Sequence, residues 1–266
     1  MHLNRMIWIL SLLAFCLTII LSTGCNKKTI SLRERTPEAQ FEEAKRIFEK
    51  RDYYKAKMQF TVIVLNNPGH RIIEEAQFYL AESHFHLKEY IEAIAEYEKL
   101  IRSMPQSQFV DNARYKIGLC YYELSPMYAL DQEYTQKAIS QFQLFIEEFP
   151  NSEMRSEVGK KLQEAQIKLA KKQYKTGELY RKMGYYRAAV LSYDFVLNEF
   201  TNTPFIDDAL YWKGECSLKL MEWQDAVESF EALIENYGSS SYTDNARIKL
   251  NMARKKLANT PMQEES

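Results

Sequence analysis

The chain has 266 residues and a formal net charge of −1, with 27% charged and 46% hydrophobic residues. This balance allows a packed core, argues against disorder and gives no electrostatic case for a nucleic-acid partner. Glycine and proline are too few for a loop-rich β protein, whereas 18 tyrosines and 14 phenylalanines favour helices with aromatic rings packed between them. After Cys25, no segment has the roughly 20 apolar residues that a membrane span needs.

The first 24 residues have the order of a secretory signal. Arg5 supplies the positive start, residues 7–21 are almost wholly apolar, and small residues come directly before Cys25. A cysteine at this point resembles the bacterial lipobox, although Ser22 stands where leucine is usual. The resemblance implies that residues 1–24 are removed and that Cys25 carries a diacylglycerol and an N-acyl chain, a stable anchor. An uncleaved N-terminal anchor with an incidental cysteine is the alternative.

The segment after the cysteine is predicted to be a tether. Residues 25–35 form the lipidated N-terminus and a short, solvated connection to the folded domain. Asn26, and not Asp, follows the cysteine. By resemblance to enterobacterial lipoproteins, this residue permits sorting to the outer membrane, with the protein on its periplasmic face.

Five copies of one amphipathic helix follow, each with a central alanine, an aromatic ring four residues later and a terminating Pro, Thr or Gly. Apolar residues at three- and four-residue steps indicate helix, and Pro or Gly ends it. The central alanines are Ala56, Ala93, Ala138, Ala189 and Ala226. A preceding helix in each copy carries a small residue; in the third copy an insertion near Ser125 separates the two helices. The small residues are Ala44, Ala81, Gly118, Gly177 and Gly214.

This pattern resembles the tetratricopeptide repeat, which Ala81, Ala93, Tyr97 and Pro105 match most fully. The resemblance implies an all-α, right-handed solenoid of five helix–turn–helix units. Small residues would let the two helices of a repeat approach closely, while the aromatic ring fills the space between neighbouring repeats.

Segments outside the repeat pattern complete the predicted domain, which covers residues 36–258. The wide spacing between the third and fourth central alanines predicts extra helix at about residues 154–170. Residues 242–257 are predicted to form a capping helix with a polar outer face. Residues 259–266 are expected to be a frayed tail.

The remaining cysteines and histidines indicate no catalytic or metal site. Cys120 and Cys216 occupy the same position two repeats apart, too far for a disulfide, and are predicted to be buried. His84 and His86 point to different helix faces, unlike a metal pair, and His84 is predicted to lie in the core. Because no catalytic constellation or nucleotide motif is present, we predict a protein that is not an enzyme and has no cofactor beyond the acyl chains.

Aromatic residues recur on the first helices when the small residue is counted as position 8. Position 5 is aromatic in all five copies, and position 12 in the first three. One hypothesis is a groove in the first three repeats, flanked by Lys45, Glu82, His86 and Glu123, that receives an extended segment ending in an aromatic residue. Its candidate residues are Phe41, Phe48, Phe78, Phe85, Tyr115 and Tyr122. Alternatively, these rings pack between first helices and meet no partner.

The chain is similar to the BamD family, the lipoproteins of the outer-membrane β-barrel assembly machinery. The resemblance rests on the lipobox at residues 21–25, on FIEEFPNSEM at 145–154 and on KLAKKQYKTGELYRKMGYYRAAV at 168–190. It implies that the C-terminal repeats hold the periplasmic domain nearest the barrel of BamA, that the N-terminal repeats receive unfolded outer-membrane proteins, and that other assembly lipoproteins are partners. The candidate contacts in the C-terminal repeats are Tyr174, Arg181 and Tyr211.

Other classes of protein remain open. Another tetratricopeptide lipoprotein, such as a secretin pilotin, has a similar organisation but lacks the match in the fourth repeat. An envelope cell-division coordinator usually has a coiled coil and no lipobox. A repeat-built lytic transglycosylase needs a separate catalytic domain, for which the chain has no room.

Overall fold

The computed structural model describes residues 36–259, and all regular structure in that range is helical. The predicted signal, the lipidated Cys25 and nearly all of the predicted tail therefore lie outside the described residues. The helices are α1 (Pro37–Glu49), α2 (Tyr53–Asn66), α3 (Ile73–His86), α4 (Tyr90–Ser103), α5 (Val110–Leu124), α6 (Glu133–Glu148), α7 (Arg155–Lys182), α8 (Tyr186–Glu199), α9 (Ile206–Leu220), α10 (Trp223–Asn236) and α11 (Thr243–Ala258).

Successive helices pack on one another along the whole described chain. The five predicted repeats are α1 with α2, α3 with α4, α5 with α6, α7 with α8, and α9 with α10, and α11 packs on the end. Because each element contacts its neighbours in sequence, the core is a row of clusters along the array. The predicted all-α repeat solenoid is confirmed.

In repeats three, four and five, a glycine and an aromatic ring approach each other closely and hold the helix pair together. A Cβ built on Gly118 would lie 2.5 Å from the Phe142 ring, and one on Gly214 would lie 2.7 Å from the Phe230 ring. The sequence predicted that these rings fill the space between repeats. In these three repeats the structure places the ring against the glycine of its own repeat, because only there is a side chain missing.

Helix α7 differs from the predicted arrangement. The extra helix at about residues 154–170 is continuous with the first helix of repeat four, in one helix of 28 residues. No proline interrupts this stretch, so nothing ends the helix between its two halves. In the first half Val158 is buried against repeat three, and in the second half Gly177 packs on Tyr193 of repeat four. Helix α7 therefore joins repeats three and four rigidly.

The predicted insertion is the loop of residues 125–132 between α5 and α6. Buried Gln132 organises it by donating from Nε2 to the carbonyls of Met127 at 2.9 Å and Leu130 at 3.1 Å. Lys168 Nζ donates to the Ser125 carbonyl at 2.9 Å, and Lys172 Nζ to the Leu130 carbonyl at 2.6 Å. The loop is thus held against the long helix α7.

The last helix, α11, packs on α10 through Ala246, Leu250 and Ala253, as expected of a capping helix. Its outer face is not wholly polar as predicted, since Ile248 and Met252 are exposed. Among the described residues, no helix has both the length and the apolar character to cross a bilayer.

Candidate interaction surfaces

The aromatic residues at position 5 lie at the junctions between repeats. Each position-5 ring faces the residue that directly precedes the next first helix. Three of these contacts are stacked ring pairs, with centroids 4.9 Å apart for Phe78 and Phe109, 5.5 Å for Tyr174 and Phe205, and 4.4 Å for Tyr211 and Tyr242. In the other two junctions, Ile72 and Met154 pack in the same clusters as Phe41 and Tyr115.

This placement corrects part of the proposed aromatic groove. Phe41 and Tyr115 are buried, and so are Tyr174 and Tyr211 among the C-terminal candidates. Their rings serve as packing between repeats, as the alternative interpretation expected, because a position-5 side chain points at the next repeat. Tyr115 also donates from Oη to Glu157 at 2.6 Å. The six candidate rings therefore do not form one open groove in this structure.

The remaining groove candidates are half-buried. Phe48 contacts Tyr53 and His86, with ring centroids 5.2 and 5.5 Å away. Lys116 Nζ lies 4.6 Å from the centroid of Phe85. Tyr122 is covered by α7, to whose Glu164 it donates at 3.1 Å. Phe48, Phe78, Phe85 and Tyr122 thus keep partly accessible edges in the first three repeats, and binding of a substrate there stays a prediction.

The charged residues that were predicted to flank the groove are largely engaged in contacts within the chain. Glu82 is buried, accepts from the hydroxyl of Tyr97 and pairs with Lys116 Nζ at 2.8 Å. Lys45 pairs with Glu75 at 3.1 Å. His86 stacks on Tyr53, and burial lowers its pKa. Glu123 is exposed.

His84 is held by a hydrogen bond to Glu89 at the edge of the second repeat. Its Nδ1 lies 2.7 Å from Glu89 Oε2, and Lys57 Nζ is also 2.7 Å from that oxygen. The His84 side chain is mostly buried, in keeping with the predicted packing role. Within residues 36–259 there is no group of His, Cys, Asp or Glu side chains that is suited to hold a metal ion.

In the C-terminal repeats, the side chain of Arg181 packs on a tryptophan ring. Its guanidinium lies 3.8 Å from the ring centroid of Trp212, a cation–π contact between α7 and α9. Arg181, Trp212, Tyr186, Glu215 and Lys219 line a hollow of about 100 Å³. The sequence argument identified Arg181 but missed Trp212 and Lys219. The signal available was the change from an aromatic residue to arginine at position 12, which marks a different surface in repeats four and five.

Cys120 and Cys216 are buried and free, as predicted. Burial raises the pKa of Cys120 to about 12 and that of Cys216 to about 11. Because thiolate is the reactive form, both thiols are inert in the folded chain.

Paired helices with a small residue facing an aromatic ring in successive repeats define the protein as a tetratricopeptide solenoid. A tetratricopeptide repeat model matches residues 208–240, the fifth repeat, and the model of the outer membrane lipoprotein family YfiO matches residues 33–222. Because the second match spans most of the sequence, the chain belongs to this family of outer membrane lipoproteins. Neither family is one of enzymes.

Solved structures with a similar fold are tetratricopeptide proteins of low identity. A repeat protein from Parabacteroides merdae has 15% identity over 84% of this chain and 75% of that one, with a TM-score of 0.36. The TPR2AB domain of yeast Sti1 in its pHSP90 complex has 17% identity over 84% and 92%, with a TM-score of 0.41. Such values carry no argument about function. No curated protein is significantly similar to the chain.

Proposed function

We propose that the protein is anchored by acylated Cys25 to the periplasmic face of the outer membrane. There it acts as a scaffold of the β-barrel assembly complex, binding a BamA-like barrel subunit, other assembly lipoproteins and unfolded barrel proteins. The single observation that carries the proposal is the family match over residues 33–222, which joins an outer-membrane lipoprotein family to a repeat fold. Repeat solenoids of this kind offer extended surfaces for binding other proteins.

The contact with the barrel subunit is assigned to the hollow around Arg181 and Trp212. Arginine, tryptophan and tyrosine are the residue types that dominate binding energy at protein interfaces, and Arg181, Trp212 and Tyr186 meet here. The rim residues Glu215 and Lys219 add charges of both signs, which suits a polar rim around an aromatic centre. Tyr174 and Tyr211 lie in the buried cluster against which Tyr186 and Trp212 pack.

The contact with unfolded barrel proteins is assigned to the partly accessible rings in the first three repeats. Phe48, Phe78 and Phe85 offer ring edges, and Lys116 stands over Phe85. An extended segment that ends in an aromatic residue fits a surface of exposed ring edges. Phe41 and Tyr115 hold these repeats together and do not take part.

The test is to express the tagged full chain with its own signal in its native bacterium and to purify it from detergent-solubilised envelopes. A large β-barrel protein with periplasmic domains, recovered in near-stoichiometric amount, supports the proposal. Arg181→Ala should reduce that recovery severalfold, whereas Arg187→Ala, on the exposed face of α8, should leave it unchanged. Recovery of a secretin or of division proteins without the barrel protein would contradict it and favour the pilotin or the division coordinator.

A further inference from the structure

Helix α2 carries a continuous exposed apolar face that no other described helix covers. We call Tyr54, Met58, Val62 and Leu65 the α2 stripe; their exposed fractions are 64, 53, 44 and 69%. Spacings of four, four and three residues place them on one side of the helix over about 17 Å. Soluble proteins rarely leave such a contiguous face open without using it for binding.

The other repeats show that the fold does not require this stripe. Counting from the central alanine gives the same four surface positions in each second helix. They are Ile91, Ala95, Lys99 and Arg102 in repeat two, Gln136, Ser140, Leu144 and Glu147 in repeat three, Arg187, Leu191, Phe195 and Asn198 in repeat four, and Gln224, Glu228, Ala232 and Glu235 in repeat five. Every one of these sets contains charged or polar residues. Only the first repeat is apolar at all four positions.

Cations outnumber acidic groups around the stripe. Helix α2 contains no aspartate or glutamate, and exposed Arg51 and Lys55 border the stripe. The adjacent acidic residue, Asp52, accepts a hydrogen bond from the Lys55 backbone N–H and caps the helix. An apolar face bordered by cations is the pattern of a helix that lies in a membrane interface and meets anionic lipid.

The position of the stripe in the chain points to the same occupant. Eleven residues, 26–36, separate the predicted lipid attachment at Cys25 from the start of α1. Fully extended, that segment reaches at most about 40 Å, so the first repeat stays close to the membrane. An anchor of this length gives the stripe a high effective concentration at the lipid surface, and a weak interfacial contact is then enough to hold it there.

We propose that the α2 stripe lies on the periplasmic leaflet of the outer membrane, with Tyr54, Met58, Val62 and Leu65 in the headgroup region and Arg51 and Lys55 on anionic phospholipid. This inference rests on the proposed lipid anchor. The contact fixes the orientation of the solenoid, because the first repeat lies flat on the bilayer while the C-terminal repeats extend away from it toward their partners.

The experiment uses the full mature chain, purified with its acyl chains and reconstituted into vesicles of phosphatidylethanolamine and phosphatidylglycerol. Met58→Cys is labelled with an environment-sensitive fluorophore, and Ser140→Cys and Glu228→Cys are controls at the matched position of repeats three and five. The fluorophore at position 58 should shift its emission to the blue and be quenched severalfold more by nitroxide-bearing lipid than at either control. Mass spectrometry of the same sample reports acylation of Cys25.

Any other outcome contradicts the inference, and the outcomes separate failure of the membrane contact from failure of the lipid anchor. Acylated protein whose position 58 behaves like position 140 or 228 contradicts the membrane contact and leaves the proposed function intact. Protein without acyl chains contradicts both. A blue shift at position 58 that needs an added unfolded barrel protein or barrel subunit, and appears without vesicles, shows a protein-binding face and contradicts the membrane contact.

Discussion

The rings of Tyr211 and Tyr242 lie 4.4 Å apart and within 17° of parallel. Tyr211 is the position-5 residue of repeat five, and Tyr242 directly precedes α11, where its hydroxyl donates to Asp208 at 2.7 Å. The stacked pairs of Phe78 with Phe109 and of Tyr174 with Phe205 repeat this relationship. An aromatic residue at position 5 therefore packs one repeat against the next.

The stacking of Tyr211 on Tyr242 should give a measurable coupling free energy in a double-mutant cycle. Each single change to Ala should lower the free energy of unfolding by about 3 kcal/mol. The double change should lower it by about 1 kcal/mol less than the sum of the two single effects, because the stacking is lost only once. Chemical denaturation followed by circular dichroism measures all four proteins. Tyr54→Ala, at an exposed ring, is the control and should change stability by about 0.5 kcal/mol or less. Full additivity would show that the rings do not stabilise each other.

Two helical glycines, one against an aromatic ring and one facing open space, test the close approach of helix pairs. Gly118→Ala should destabilise the chain by about 1–3 kcal/mol, because the new methyl group would lie 2.5 Å from a buried atom of Phe142. Gly159→Ala in α7 meets nothing within 4 Å and should stabilise the chain by about 0.5–1 kcal/mol through helix propensity. Thermal denaturation of both variants is the measurement.

A second substitution tests whether the contact with the ring causes the loss of stability in Gly118→Ala. In the Gly118→Ala background, Phe142→Leu removes the ring that the methyl group displaces, and part of the lost stability should return. If Gly118→Ala were as favourable as Gly159→Ala, the small residue at position 8 would not be set by packing.

The ion pair of Glu89 should make stability depend on pH in the acid range. Lys57, first, and then His84 lower the pKa of Glu89 below its ordinary value of 4.5. Because the folded pKa is the lower one, the contribution is present above the ordinary value and is lost as the pH falls through the folded value. Glu89→Gln should cost about 0.5–1 kcal/mol at pH 7, the scale of a partly exposed pair.

That difference should shrink as the pH falls below the ordinary value and should vanish below the lowered folded pKa. Urea denaturation of both proteins between pH 7 and pH 3 measures it. A difference that stays constant over this range would mean that Glu89 contributes through packing and not through its charge.

The cysteines provide a test of folding and lipidation together. Since burial raises the pKa of Cys120 and Cys216 to about 12 and 11, neither should react with a thiol reagent at pH 8 in the folded chain. After unfolding, the proposed mature chain should expose both thiols, because cleavage of the signal would remove Cys16 and acylation would block Cys25. Titration of thiols by absorbance gives the count. Reaction before unfolding would contradict the burial, and a third thiol after unfolding would contradict acylation of Cys25.

Much of the fold follows from the sequence because each repeat needs the same local contacts. Gly118, Gly177 and Gly214 sit where an aromatic ring must approach a helix, so a small residue at a fixed distance from a ring identifies every helix pair. The residue that ends each second helix can also be recognised from the local sequence. The uninterrupted α7 was less predictable, since the absence of a helix break between residues 154 and 170 leaves both one helix and two helices open.

The candidate sites were harder to predict, because spacing along one helix does not show what packs against it. Phe41, Tyr115, Tyr174 and Tyr211 share a helix face with partly open residues, and only their packing against the next repeat shows that they are buried. Trp212 adjoins one of them and escaped notice for the same reason. Its importance lies in the contact with Arg181, which comes from the preceding repeat.

Crosslinking in the native bacterium tests whether the C-terminal repeats bind the proposed barrel subunit. A photoreactive amino acid replaces Lys219 at the rim of the hollow, and in a second strain it replaces exposed Glu228 on the outer helix of the same repeat. We expect position 219 to crosslink to a large β-barrel protein with periplasmic domains and position 228 not to do so. A crosslink from position 219 to a secretin, or none while the barrel protein is captured from position 228, would contradict it.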